Sequence, residues 1–151
     1  MPAGTSPPTK VMDLIKTAAA GVTAIGATRV FQGKKHFSES DNLEGSIRAL
    51  TAESQGYFSF WLAGRKSADQ YHVGAMDVAG QLLVHLSTDA TTDFNVGYEV
   101  AEALLKAFSL ESTFSKTKPL ECAYVNVSDG LEDGIAEFDF ALSYELPPIC
   151  D

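Results

Sequence analysis

The strongest pattern in the chain is an alternation of period two near its C-terminal end. Phe138, Phe140, Leu142, Tyr144 and Leu146 share one parity; Glu137, Asp139, Ala141, Ser143 and Glu145 share the other. Ten residues of such alternation predict a strand with one apolar and one polar face. Pro147-Pro148 ends it, because proline cannot donate to a sheet ladder. The strand at 135–146 pairs in prospect with Leu120 to Val127, across an acidic turn from Ser128 to Gly134, as a hairpin.

A second periodicity, at helical spacing, runs from Asp93 to about Phe108. Val96, Val100 and Leu104, with Ala101, Leu105 and Phe108 one step over, form an apolar stripe, and Glu102 stands four residues before Lys106, the favourable order for an i,i+4 pair. The Thr88-Asp89-Ala90-Thr91-Thr92-Asp93 cluster supplies capping side chains. A shorter helix is predicted after Thr9, with Val11, Ile15, Ala18, Ala19 and Val22 inward. Residues 1–8 hold three of the six prolines and read as a flexible arm ahead of one domain, 9–151.

Tyr57-Phe58-Ser59-Phe60-Trp61-Leu62 places aromatic side chains on both parities, which predicts a strand covered on both faces. Gly64 to Asp69 reads as a polar turn. Tyr71 to Val78 and Gln81 to Ser87 read as two strands, or as one long strand bent at Gly74 and Gly80. Between 23 and 55 the pattern is weak. Thr28 to Phe31 fits a short strand, Gly33 to His36 a loop, and Asp41 to Leu50 a helical turn or an ordered loop. The fold class expected is α+β, a mainly antiparallel sheet packed against two helices.

Charge changes this picture more than composition does. Twenty Asp and Glu stand against eleven Lys and Arg, a formal net charge of −9. Residues 1–75 sum to +2 (eight basic, six acidic) and residues 76–151 to −11 (three basic, fourteen acidic). Such a balance argues against a grip on nucleic-acid phosphates. The apolar runs are too short for a membrane span of about 20 residues. The N-terminal stretch lacks the basic and apolar regions of a signal peptide. Cys122 and Cys150 lie 28 residues apart without metal-ligand spacing, and two unpaired thiols are favoured over a disulfide.

Catalytic and cofactor motifs are missing from the sequence: GxGxxG, GxxxxGK, GxSxG and HExxH do not occur. No catalytic, metal-binding or cofactor residue is therefore assigned, and the chain is not read as an enzyme. A hairpin around Val78-Ala79-Gly80 would bring His72 and His85 together, but a metal centre would need a third ligand such as Asp77. His36, His72 and His85 are read as ordinary hydrogen-bonded side chains. Asp129, Glu132 and Asp133 crowd one turn without the 1-3-5 spacing of a calcium loop. Glu137, Asp139 and Glu145 share one strand face, where residues two apart, such as Glu137 and Asp139, lie about 7 Å from one another. With no aromatic on their strand face, they read as a wet surface that repels polyanions.

The segments His85-Leu-Ser-Thr-Asp and Asn95-Val-Gly-Tyr-Glu-Val-Ala-Glu-Ala-Leu-Leu-Lys-Ala-Phe resemble the strand-then-helix of the tail terminator and tail completion proteins of long-tailed bacteriophages. Phe138-Asp-Phe-Ala-Leu-Ser-Tyr-Glu-Leu is similar to their final strand. The resemblance implies a tail-terminator-like fold and a structural virion protein, assembled in the host cytoplasm. It implies a homo-oligomeric ring, usually a hexamer, that stops tube growth and contacts the tail tube protein and the head connector protein. DNA passes through its hole without specific binding, and Glu137, Asp139 and Glu145 become candidates for lining that hole. A head-completion or other neck ring protein, and a small ligand-binding α+β domain, are the competing readings.

Overall fold

A computed structural model describes residues 7–33, 55–66, 74–86, 95–109, 119–128 and 134–146. Helix α1 spans Pro7–Ala20 and α2 spans Asn95–Ser109. The strands are β1 (Val30–Gln32), β2 (Gly56–Lys66), β3 (Gly74–His85), β4 (Pro119–Ser128) and β5 (Ile135–Leu146). They form one sheet in the order β1-β2-β3-β5-β4. Only the short β1–β2 pairing is parallel; the other three are antiparallel. The fold is α+β, as the sequence pattern predicts.

Both helices pack on one face of the sheet. Val11, Ile15 and Ala19 of α1 and Val100, Leu104 and Phe108 of α2 share a core with Phe58, Phe60, Leu82, Phe138, Phe140, Leu142 and Tyr144. The stripes read from helical spacing are the buried ones. Helix α1 begins two residues before the expected cap at Thr9: Pro7 and Pro8, assigned to the arm, lie in its first turn, where a missing N–H costs nothing. It stops at Gly21, whose N–H is shared between the Thr17 and Ala18 carbonyls at 3.1 and 3.2 Å. A 3-10 turn, Ala27–Arg29, occupies the first part of the expected strand at 28–31.

Rings organise the core. Phe58 meets Phe108, Phe140 and Phe60 at centroid distances of 5.4, 5.7 and 5.9 Å, and Tyr124 meets both Phe138 and Phe140 at 5.5 Å. Several of these pairs are tilted or edge-on, the orientations that ring quadrupoles favour. The Phe58 ring lies over Gly80, where an added Cβ would come within 2.5 Å of Cζ. Gly80 is thus not an irregular point. It sits opposite Phe60 and Phe140 in unbroken pairing, and its missing side chain is the space the ring occupies.

Two further expectations change. Strand β3 runs without a turn from Gly74 to His85, which removes the hairpin at Val78-Ala79-Gly80; long ladders to β2 and β5 on either side hold it extended. Strand β2 continues to Lys66 through an irregularity between Leu62 and Gly64, so the polar segment from Gly64 to Lys66 is strand rather than turn. Residues 1–6 of the expected arm, the helical turn or ordered loop at 41–50, the cap cluster at 88–93 and the acidic turn around Asp129, Glu132 and Asp133 lie outside the described residues.

Phe140→Ala should cost about 3–5 kcal/mol, since Phe140 is buried among three rings. Gly80→Ala should cost about 1–3 kcal/mol, because Phe58 is hemmed in and has nowhere to move. Denaturant unfolding of the two variants checks both, and a neutral Gly80→Ala would show that the ring can move aside.

Candidate functional site

The strand register sorts the polar side chains by face. Glu137 stands beside Leu83 and, beyond it, Tyr57; Asp139 beside Gln81 and Ser59; Glu145 beside Ala75 and Lys66. Ser143 lies between Asp77 and Glu121. The face opposite the helices therefore gathers Asp77, Glu121, Glu137, Asp139 and Glu145. Lys66 is the single Lys or Arg that the register places there among the described residues.

This face is not uniformly wet. Glu137, Asp139 and Glu145 are half-buried, and Asp77 and Glu121 are exposed. The Gln81 amide donates to a Glu137 carboxylate oxygen at 2.5 Å. Aromatic side chains do share the face, although none shares the strand: Tyr57 packs with Leu83 and Ile135, and the Phe31 ring meets Tyr57 at a tilt, 5.0 Å between centroids. Strand-by-strand reading missed this, since the rings arrive from β1 and β2. Between the acids runs a floor of small residues, Ala79, Ala141 and Ala123, in register with Trp61.

The other titratable cluster lies at the C-terminal end of α2. The buried Tyr144 hydroxyl donates to the Phe108 carbonyl at 3.2 Å, one of the last helical carbonyls, which lack a partner within the helix. The Cys122 sulfur lies 3.6 Å from the same carbonyl. Burial, with the neighbouring Cys122 second, holds the Tyr144 phenol far above its usual range. Burial likewise pushes the Cys122 thiol up, against hydrogen bonds with Ser109 and Tyr144 that pull it down. Cys122 is a free thiol kept protonated, which makes it a packing group rather than a nucleophile. Cys150 lies outside the described residues.

Other chemistry is sparse. His85 and Asp77 sit eight residues apart on the unbroken β3, roughly 26 Å at strand rise, and His72 and His36 lie outside the described residues. No three His, Cys, Asp or Glu side chains converge as metal ligands do among the described residues. No helix among them is long and apolar enough to cross a membrane. An open groove of about 830 Å³ separates α1 from α2, between Thr17, Gly21 and Thr23 on one side and Val96, Glu99 and Lys106 on the other. Its polar side chains are all exposed, so it offers no buried, convergent group to orient a reactant.

The Tyr144 phenol stays protonated in the folded chain at pH values where an unfolded tyrosine ionises, near 10. The unfolded state then binds fewer protons, and stability must fall as pH rises past that point. One such group gives a slope of about 1.4 kcal/mol per pH unit. Tyr144→Phe should remove that contribution and cost about 1 kcal/mol at neutral pH, since it leaves the Phe108 carbonyl only its weaker contact with the Cys122 thiol. Unfolding midpoints of both proteins from pH 7 to 11 test this. An unchanged alkaline slope in the variant would shift the cause elsewhere. No protein-family model and no curated protein sequence matches the chain.

Proposed function

We propose that the chain is a structural subunit of a ring, a homohexamer by the resemblance, seated at the head-proximal end of a phage tail tube. It ends tube growth and joins the tail to the head connector while DNA passes through. One observation carries this reading: both helices cover one sheet face, and among the described residues the opposite face presents five carboxylates against one ammonium. A surface of that kind repels a duplex rather than holding it. Screening confines the effect to about 8 Å at physiological salt, so it acts on DNA only where the face borders the passage closely.

The uneven charge of the chain supports the same reading. A near-neutral first half and an acidic second half suit heterologous contacts between identical subunits, which close into a ring when the rotation permits. The groove between α1 and α2 is what a small-ligand reading would rest on. Its volume suits a ligand, but its openness and its exposed polar rim do not.

Purified protein mixed with tail tubes should cap one end of each tube as a ring in negative-stain images. Protein that stays monomeric at high concentration and ignores tube ends would sink the proposal. A particle assay addresses the hole. Glu137→Gln, Asp139→Asn and Glu145→Gln together remove the β5 charges while preserving shape and the Gln81 contact. Tails should still form, with DNA ejection slowed. Unchanged infectivity would remove these residues from the lining.

A further inference from the structure

Exposed apolar side chains gather on one side of the molecule. Five large hydrophobic side chains are exposed among the described residues; three belong to β4 and a fourth to α2, which packs on it. Leu120, Val125 and Val127 are 51, 48 and 43 % exposed, and Tyr98 of α2 is 39 % exposed. The Tyr98 and Tyr124 rings both meet Phe138 edge-on, at 5.8 and 5.5 Å, so helix and strand present one surface. Strand β4 closes the sheet order and pairs with β5 alone among the described residues. None of its ten residues is buried. Its hydrogen bonds and ring contacts run to α2 and β5, so among the described residues its outer backbone groups have no partner.

Both ends of β4 are shaped against further pairing, and its middle is not. Pro119 and an irregularity before Glu121 mark one end; a second irregularity after Val125, with Asn126 at a left-handed φ of 51°, marks the other. Proline and bulges are the usual protection of a sheet edge. Glu121 to Val125 between them pairs regularly, without lysine, arginine or proline. Glu121, Ala123 and Val125 stand on the face opposite the helices, and Cys122 and Tyr124 pack towards the core.

Ala123 is the centre of this five-residue segment, and that fixes how a second copy fits. A two-fold axis normal to the sheet at Ala123 sets β4 antiparallel to its own copy and uses all five residues. Ala123 then faces Ala123 of the second copy, Glu121 faces Val125, and Cys122 faces Tyr124. No carboxylate meets its like. The two Glu121 side chains lie four residues apart along the pair, roughly 13 Å, and the two β5 rows lie three strand spacings apart, roughly 14 Å. Both distances exceed the screening length of about 8 Å at physiological salt. A pairing centred on Glu121 would set like charges face to face, which destabilises a strand pair.

We propose that free copies of this chain pair through β4 about a two-fold axis at Ala123, joining two five-stranded sheets into one of ten strands. Helix α2 packs on β4 through Phe108, so the two α2 helices, with Tyr98, flank the axis. The inference goes beyond the ring reading: a two-fold contact closes on itself, whereas a ring needs heterologous contacts. The pairing describes the chain off the tube.

Cross-linking tests the pairing. In a Cys122→Ala, Cys150→Ser background, Ala123→Cys, Glu121→Cys and Val125→Cys proteins are treated with a short bifunctional thiol reagent. Ala123→Cys protein should couple to itself, whereas Glu121→Cys and Val125→Cys should couple when mixed and not alone. Coupling of either of these alone, or of no sample, would overturn the pairing; a β4 that takes a strand of some other protein gives the second result. Sedimentation equilibrium of the chain with its native cysteines provides another readout, and should show a dimer. Val125→Glu sets a carboxylate against Glu121 of the second copy and should weaken that dimer severalfold, Val125→Lys should keep or tighten it, and Glu121→Lys combined with Val125→Glu should restore it. Such a pattern of signs cannot come from misfolding. A chain that stays monomeric, or a dimer indifferent to all three substitutions, would overturn the pairing. Monomers that still cap tube ends would remove the pairing and keep the tail function, and dimers that ignore tube ends would do the reverse.

Discussion

The sheet depends on one close approach, the Phe58 ring lying over Gly80. With no Cβ at Gly80, the ring drops between Phe60 and Phe140 and reaches Phe108 of α2. That contact joins β2, β3, β5 and α2 at one point, near the centre of the core. Interiors at crystal-like density respond to single methylene changes, so the site tolerates neither a larger residue at Gly80 nor a smaller one at Phe140. Tyr144 acts at the end of the same helix, holding the Phe108 carbonyl from β5. Together they fix where α2 crosses the sheet.

Placing both helices on one face leaves the other to the polar parity of the strands. A five-stranded sheet with β5 second from the edge then spreads Glu137, Asp139 and Glu145 across its interior, with Asp77 and Glu121 on the neighbouring strands. Their charges add because β4 and β5 carry no lysine or arginine. The same strand order puts the acidic pair β5 and β4 on one side of β3 and the basic end of β2 on the other. The surface asymmetry is a consequence of topology acting on an uneven charge distribution.

Much of the fold was legible because its signals are local. Helical spacing marked Val11, Ile15 and Ala19, and Val100, Leu104 and Phe108, and alternation marked β5 down to individual faces. Failures occurred where a neighbour decided. Gly80 looks like a break in sequence, yet it is a regular strand position emptied for a ring 22 residues away. Gly64 to Lys66 looks like a turn, yet the β3 ladder extends it. Strand β4 was found, but its exposure was not: α2 covers Cys122 and Tyr124, while Leu120 and Val125 fall on different parities and both stay exposed, a lack of alternation that marks a strand pairing on one side.

The carboxylate row shows the same division. Its spacing, its strand and its lack of local counter-charge are properties of residues 135–146 alone, because a strand's parity is set by backbone geometry. Its half-burial, the Gln81 contact, the aromatic cluster on the same face and the distance from Lys66 come from β1, β2 and β3, far earlier in the chain. The sequence by itself determined which residues alternate, where the helices lie and how charge divides between the halves. Only the tertiary structure decided which strands became neighbours and which sheet face the helices covered, because pairing depends on long-range packing around Gly80 that no local pattern encodes.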